Sequence, residues 1–527
     1  MMTTKFLPLL ICLSCVTVLP AQSAGAIHPE LKAENLIPGT PGNAADYFCT
    51  WNIQGYAVSY ANTKSHRDAM TESNIFGAGM YQNWAGFFPR IRSDLYFVMD
   101  DSWDVGFTNY DYGADILNPD RFPTYASSGT EPEKLRKLNA AIQAKGWRAV
   151  GGWICANKAE AYHDRSDQDF YAQRLQWMNS AGWGYWKVDW GKQSKDANWR
   201  RNLTEWAHLY APRLQVEHAM NWSCVPFADV FRTYDIEAVT SIPVTLSRVC
   251  QGIRQVAEPN AKAIINCEDE PTIGAALGCA IGIMRHPYVG NLPNGQQDYV
   301  FPPVARDLKH CLNEAERGVL WHRVAPPFKV DGQVNMDKTS LQDTWCFQAR
   351  EGWSTKTPGK WVTNSAPARI TRGGLSLPTV KVDSGEPPFV IASRHPNGAI
   401  TIATLVRTIC TSPADRRCWT PLADITLAAG KLTGPIGIFG HYKTLTLAFD
   451  APMSGRTILA QDILDHQPKD ITTQATIKGN TVTLSGNLID QVGLEMASPG
   501  DKSDPGMVIS VSGSESPVSP PSAKAKQ

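Results

Sequence analysis

The chain has no charge excess of either sign: 50 Lys and Arg stand against 50 Asp and Glu over 527 residues. It therefore carries no global field to steer a polyanion, and nucleic acid is not an expected partner. Charged residues are scarce, at 19 % against roughly 25 % in ordinary soluble domains. Beyond residue 26 no apolar run reaches the roughly 18 residues a membrane helix needs, so no membrane span is expected. Beyond residue 26 there is no C-x-x-C pair to suggest zinc, and the chain has no Gly-rich phosphate cradle and no internal repeat. Hydrophobic residues, at 43 %, and 17 Trp are plentiful. That is material for two or three domains, and indole rings serve both cores and ligand clefts.

The N-terminus reads as a secretory signal over residues 1–26. Lys5 is followed by an apolar stretch from Phe6 to Pro20 and a small-residue cleavage pattern, Ala24-Gly25-Ala26. A secreted or periplasmic protein is the expectation. Of 12 Cys, Cys12 and Cys15 leave with the signal, and the remaining even set would meet an oxidising compartment. Cys410 and Cys418, flanking a polar turn, are the best local disulfide pair.

From about residue 45 short apolar runs alternate with helical segments. LYFVMDD (95–101) reads as a buried strand, and Thr130 and Glu133 form a capping box for the helix that follows. RAVGGWI (148–154) is the next strand, Ser166 caps the next helix, and YWKVDW (185–190), LQVEHA (214–219), DVFRTYD (229–235) and AIINCEDE (263–270) continue the series. Strand and helix alternating over this length predict a (β/α)8 TIM barrel at 27–340. Residues 341–385, rich in Gly, Pro and Trp, read as a connecting segment. Segments such as AITIATLV, TLTLAFD and TVTLSGN predict a C-terminal antiparallel β-sandwich at 386–512, and residues 513–527 a Ser/Pro/Lys tail unable to form a core.

In a parallel barrel the reacting groups sit where strands end, and several strands here close on acids: Asp100 and Asp101, Asp189, Glu217, Asp235, and Glu268 with Asp269. Lys187 and Asp189, two apart on one strand, share a face, so the ammonium can keep the carboxylate ionised. Glycosidic cleavage needs one carboxylate that stays charged and one that carries a proton. Trp103, Trp153, Trp183, Trp186 and Trp190 cluster near the same strand ends, divided between stacking and core roles. Glu268 and Asp269 are favoured as caps of the helix that starts near Pro271.

In order and rough spacing, FCTWN (48–52), YFVMDDSW (96–103), AIQAKGWRAVGGW (141–153), YWKVDWG (185–191), VEHAM (216–220), VFRTYDIE (230–237) and NCEDEPTIG (266–274) resemble the strand-end motifs of glycoside hydrolase family 27. These are the α-galactosidases and their clan D relatives. The resemblance implies an exported, retaining exo-glycosidase acting on terminal α-D-galactosyl residues of a carbohydrate substrate, without cofactor or metal. Carried onto matching positions, it makes Asp189 the nucleophile and Asp235 the acid/base. It gives Asp100 and Asp101 the C4 and C6 hydroxyls, Lys187 the C3 and C4 hydroxyls, Glu217 a ring hydroxyl and Arg232 the C2 hydroxyl, with Trp51 lining the pocket; Trp153, from the indole cluster, is a further substrate-binding candidate. Glu217 and Met220 look like the galactose version, filling the space an acetamido group would need. Arg232 stands three residues before Asp235, where the family usually has four. In an unbroken strand that spacing points the two to opposite faces, which leaves Asp229 as a lesser candidate acid.

Other readings stand beside this one. A related enzyme could act on a β-L-arabinopyranoside, an α-N-acetylgalactosaminide or an α-glucoside. A Mg-dependent barrel enzyme would use Asp189, Glu217 and Glu268 as ligands with Lys187 as base. A non-catalytic sugar-binding protein would keep the barrel without turnover.

Overall fold

The computed structural model describes residues 34–234, 239–301, 306–348, 351–352 and 358–511. The signal segment, the C-terminal tail and Asp235 lie outside the described residues. Eight parallel strands close a barrel in sequence order: β1 (Tyr47–Cys49), β2 (Tyr96–Met99), β3 (Ala149–Ile154), β4 (Tyr185–Val188), β5 (Gln215–His218), β6 (Val230–Arg232), β7 (Ile264–Glu268) and β8 (Ala280–Ile283). Nearly all their residues are buried, because one face meets the barrel interior and the other the surrounding helices. This is why the strands read as apolar runs rather than as alternation. Phe48, Phe97, Val150, Trp186, Val216, Phe231 and Ile265 pack outward against helices, and Tyr47, Val98, Tyr185 and Val230 pack inward.

The helix signals operate as read. Thr130 N donates to Glu133 Oε2 (2.8 Å) at the start of Glu131–Ala144, and Asp169 N donates to Ser166 Oγ (3.0 Å) at the start of Asp167–Ala181. Gly182, at φ +77°, ends the second helix in a conformation that favours glycine. β1 and β8 are the strands that hydrophobic pattern alone did not mark, being three and four residues long.

Residues 341–385 differ from the expected connection, because they are strands of the β region. Ser340–Phe347 and Lys360–Pro367 join a four-stranded sheet, Arg369–Arg372 an eight-stranded sheet and Thr379–Lys381 a five-stranded sheet. The eight- and five-stranded sheets face each other across one apolar core that includes Ile402, Ile438, Leu427 and Leu447. The sandwich is mixed rather than purely antiparallel, since Ile400–Leu405 pairs in parallel with Ile436–Phe439, and Asp424–Gly430 with Thr444–Phe449. Its other face packs on the barrel. Trp321, fully buried, donates to Thr401 Oγ1 (2.8 Å), and a Cβ at Gly437 would lie 2.8 Å from the Trp321 ring. Arg317 grips Asp462 through Nε–Oδ1 (3.0 Å) and Nη2–Oδ2 (2.9 Å).

The ten described cysteines are free thiols, which corrects the expected disulfides. On the Cys410–Cys418 hairpin the register sets Cys410 opposite Arg416 and Cys418 opposite Thr408, so the two are not cross-strand neighbours. No helix among the described residues is long and apolar enough to cross a membrane.

Candidate active site

Side-chain alternation carries a polar set to the C-terminal mouth of the barrel. On β4, Tyr185 and Lys187 point inward and Asp189 follows just past the strand. Inward positions on the next three strands hold Glu217, Arg232, and Asn266 with Glu268. Together with Trp51, Asp100 and Asp101 at the ends of β1 and β2, several of these enclose a cavity of about 290 Å³.

Lys187 is 2 % exposed and donates to Asp100 Oδ2 at 2.7 Å, while standing 3.7 Å from Asp189 Oδ2. Burial and Arg232 work against its charge, but Asp100 and its other acidic neighbours outweigh them and raise its pKa. Asp100 Oδ2 also accepts from the Cys49 thiol at 3.0 Å, and Asp100 N donates to Thr50 Oγ1 at 2.8 Å. Asp101 is held by Arg67 Nε (3.1 Å) and Ser102 Oγ (2.7 Å). Burial raises its pKa against the pull of Arg67.

Asp189 is 7 % exposed at the cavity wall. Oδ2 accepts from Trp153 Nε1 at 3.2 Å, and Oδ1 faces Arg232 Nη2 at 3.3 Å. Burial favours its neutral form, but Arg232 and then Lys187 outweigh burial and hold its pKa below the ordinary carboxylate value. Arg200 Nη2 fixes the backbone from outside by donating to Asp189 O at 2.9 Å. The result is an ionised, largely dehydrated carboxylate in a fixed position.

Arg232 lies between three carboxylates: Asp189, Glu217 (Nε–Oε1, 3.4 Å) and Glu268 (Nη1–Oε1, 3.2 Å). The oxygens expected of a magnesium ligand set converge instead on this guanidinium. β6 ends at Arg232, and Tyr234 takes φ +61°, so strand alternation stops before residue 235. The three-residue spacing therefore does not force opposite faces. Asp229 precedes β6, at the opposite end of the barrel, where it meets His208 Nε2 (2.8 Å) and Val216 N (3.0 Å).

Glu217 points into the barrel but does not reach the cavity, unlike Asp100, Asp101, Asp189 and Glu268. It is 1 % exposed, absent from the cavity wall, and accepts from Tyr185 Oη and Asn266 Nδ2 (both 2.8 Å). Burial raises its pKa to about 7 despite Arg232 and Lys187. Met220 is likewise absent from the wall and adopts φ +69°. Glu268 does line the cavity, and the helix Pro271–Leu277 has Glu270 at its N-cap position. Burial raises the pKa of Glu268 against Arg232 and Lys187.

The indoles divide between the two roles. Trp51, Trp153 and Trp190 line the cavity, whereas Trp103, Trp183 and Trp186 are core, with Trp103 Nε1 donating to Trp153 O at 2.8 Å. Trp51 stacks on His66 (centroids 3.8 Å apart) and Trp190 packs on Trp153 (5.2 Å). Arg67 and Tyr234 were not legible as site residues. Arg67 lies in a helix bounded by polar residues, and its place over Trp190 (5.5 Å) follows from tertiary packing.

No known family profile and no curated protein matches this sequence. Among solved structures, the chain is similar to α-galactosidase I from Mortierella vinacea (10 % identity, covering 90 % of this chain and 98 % of that one, TM-score 0.37). It is also similar to a GH27 β-L-arabinopyranosidase from Geobacillus stearothermophilus in complex with arabinose (9 %, 90 % and 98 %, 0.38). A third similar structure is a putative α-N-acetylgalactosaminidase from Bacillus halodurans C-125 (10 %, 92 % and 100 %, 0.39).

Proposed function

We propose that the chain is an exported, retaining exo-glycosidase of the clan D type, acting on terminal α-D-galactosyl residues. The observation that carries this reading is the state of Asp189: a carboxylate at the wall of a small cavity, 3.3 Å from Arg232 and 3.7 Å from Lys187, with its pKa held down. A nucleophile for an anomeric carbon has to be ionised and held in place before substrate arrives. A cavity of about 290 Å³ lies at the small end of ligand sites, about 300–1,000 Å³, which suits one sugar ring rather than an open polymer groove.

In this mechanism Asp189 attacks the anomeric carbon as the bond to the leaving oxygen breaks, and Asp235 protonates that oxygen. Asp235 then takes a proton from water, which attacks the glycosyl-enzyme and releases the sugar with its configuration retained. Lys187, Asp100 and Asp101 are assigned to ring hydroxyls, Arg232 to the hydroxyl beside the anomeric centre, and Trp51 and Trp153 to the apolar faces of the ring. The N-acetylgalactosaminide is the second reading, because Glu217 and Met220, read as filling the acetamido space, do not line the cavity.

A panel of 4-nitrophenyl α-galactoside, α-N-acetylgalactosaminide, α-glucoside and β-L-arabinopyranoside, with the first-formed anomer read by NMR, tests the proposal. Fastest turnover of the galactoside to α-galactose supports it. Release of β-galactose, or no turnover of any glycoside, contradicts it.

A further inference from the structure

Two carboxylates, Glu217 from β5 and Glu268 from β7, contact the same guanidinium, and they do so from different levels of the barrel. The register partner of Glu217 on β6 is Val230, one inward position before Arg232. The register partner of Arg232 on β7 is Asn266, and Glu268 is the next inward position beyond it. Glu217 is thus below Arg232, closed in by Tyr47, Tyr185 and Asn266. Glu268 is above, on the cavity wall, and its Oε1 accepts a hydrogen bond from Arg232 Nη1 at 3.2 Å.

We propose that Glu268 is the carboxylate that accepts a hydrogen bond from the substrate hydroxyl next to the anomeric carbon, and that Glu217 is a positioning residue for Arg232. This rests on the glycosidase reading above and revises its distribution of roles. Arg232 touches Asp189 with Nη2 and Glu268 with Nη1, so a ring whose C1 meets Asp189 brings its neighbouring carbon toward Glu268. The buried carboxylate below has its oxygens on Tyr185, Asn266, Tyr47 and Arg232 and no opening to the cavity. Hydrogen bonds to the hydroxyl at C2 strengthen as the oxocarbenium-like transition state forms. Glu268 should therefore act mainly on kcat, and only with substrates that carry this hydroxyl.

The test compares a 4-nitrophenyl glycoside that the wild type hydrolyses with its 2-deoxy analogue. For each protein the readout is the ratio of the two kcat/KM values, which removes the intrinsic reactivity of the deoxy sugar. Glu268→Gln and Glu268→Ala should shrink the wild-type preference for the hydroxylated substrate by about 10–100-fold, as expected for loss of one charge-assisted hydrogen bond. Glu217→Gln should leave that ratio within about 3-fold of wild type while lowering both rates together and altering the pH profile. Thermal melting of each variant confirms that the fold survives. An unchanged ratio in the Glu268 variants, or a collapsed ratio in Glu217→Gln alone, overturns the inference. Loss of all turnover in the wild type would instead overturn the glycosidase reading, so the two failures are distinct.

Discussion

Lys187 Nζ lies 2.7 Å from Asp100 Oδ2, a buried ion pair that joins β4 to the end of β2 across the barrel mouth. The same ammonium stands 3.7 Å from Asp189, just past the end of its own strand. In the proposed mechanism it holds a sugar hydroxyl where these acids point it, and with Arg232 its charge keeps the pKa of Asp189 down. Lys187→Met should lower kcat/KM by about 10–100-fold and move the acid limb of the pH profile upward, because Asp189 loses a cation that depresses its pKa. The pH dependence of kcat/KM for wild type and variant checks this.

Glu217 links the site to stability. Its folded pKa is raised to about 7 by burial, above the roughly 4.3 of an unfolded chain. Between these values the native state holds more protons than the unfolded state, so this residue's contribution to stability falls as pH rises through that window. Glu217→Gln removes the titration. Melting temperatures from pH 4.5 to 7.5 should therefore show the variant gaining on wild type as pH increases.

The barrel and the sandwich are joined by Arg317 and Asp462, whose side chains are 1 % and 0 % exposed. Asp462→Ala strands a buried guanidinium and should cost about 3–5 kcal/mol, measured by denaturant unfolding of the whole chain.

The thiols give a chemical check on the fold. The mature chain should begin at Ile27 by intact mass. It should titrate ten thiols per chain once unfolded, matching the ten free cysteines, and reductant should leave its melting temperature unchanged.

How much of this was legible in sequence varied with the physics. Lys187 and Asp189 were readable because two-residue spacing fixes a shared face, and the strand series was readable because doubly buried strands are continuous apolar runs. The sheet roles of 341–385 were not, because short strands among Gly and Pro gain their pairing from partners far along the chain, as Arg369–Arg372 does from Phe389–Arg394. Glu217 was read as a substrate contact and Glu268 as a helix cap, whereas Glu268 lines the cavity and Glu217 does not. Both are acids at inward strand positions, and which one reaches the cavity depends on the stagger between strands. Arg232 followed its motif, but its place among three carboxylates is a property of the closed barrel.

The proposed double displacement requires that Asp189 become covalently bonded to the sugar. Incubating the protein with 5-fluoro-α-D-galactosyl fluoride, whose ring fluorine slows release of the glycosyl-enzyme, and mapping the adduct by peptide mass spectrometry tests it directly. One fluorogalactosyl group per chain is expected, on Asp189, and none in Asp189→Asn. A protein that hydrolyses galactosides yet carries no adduct, or carries it on another carboxylate, would contradict it.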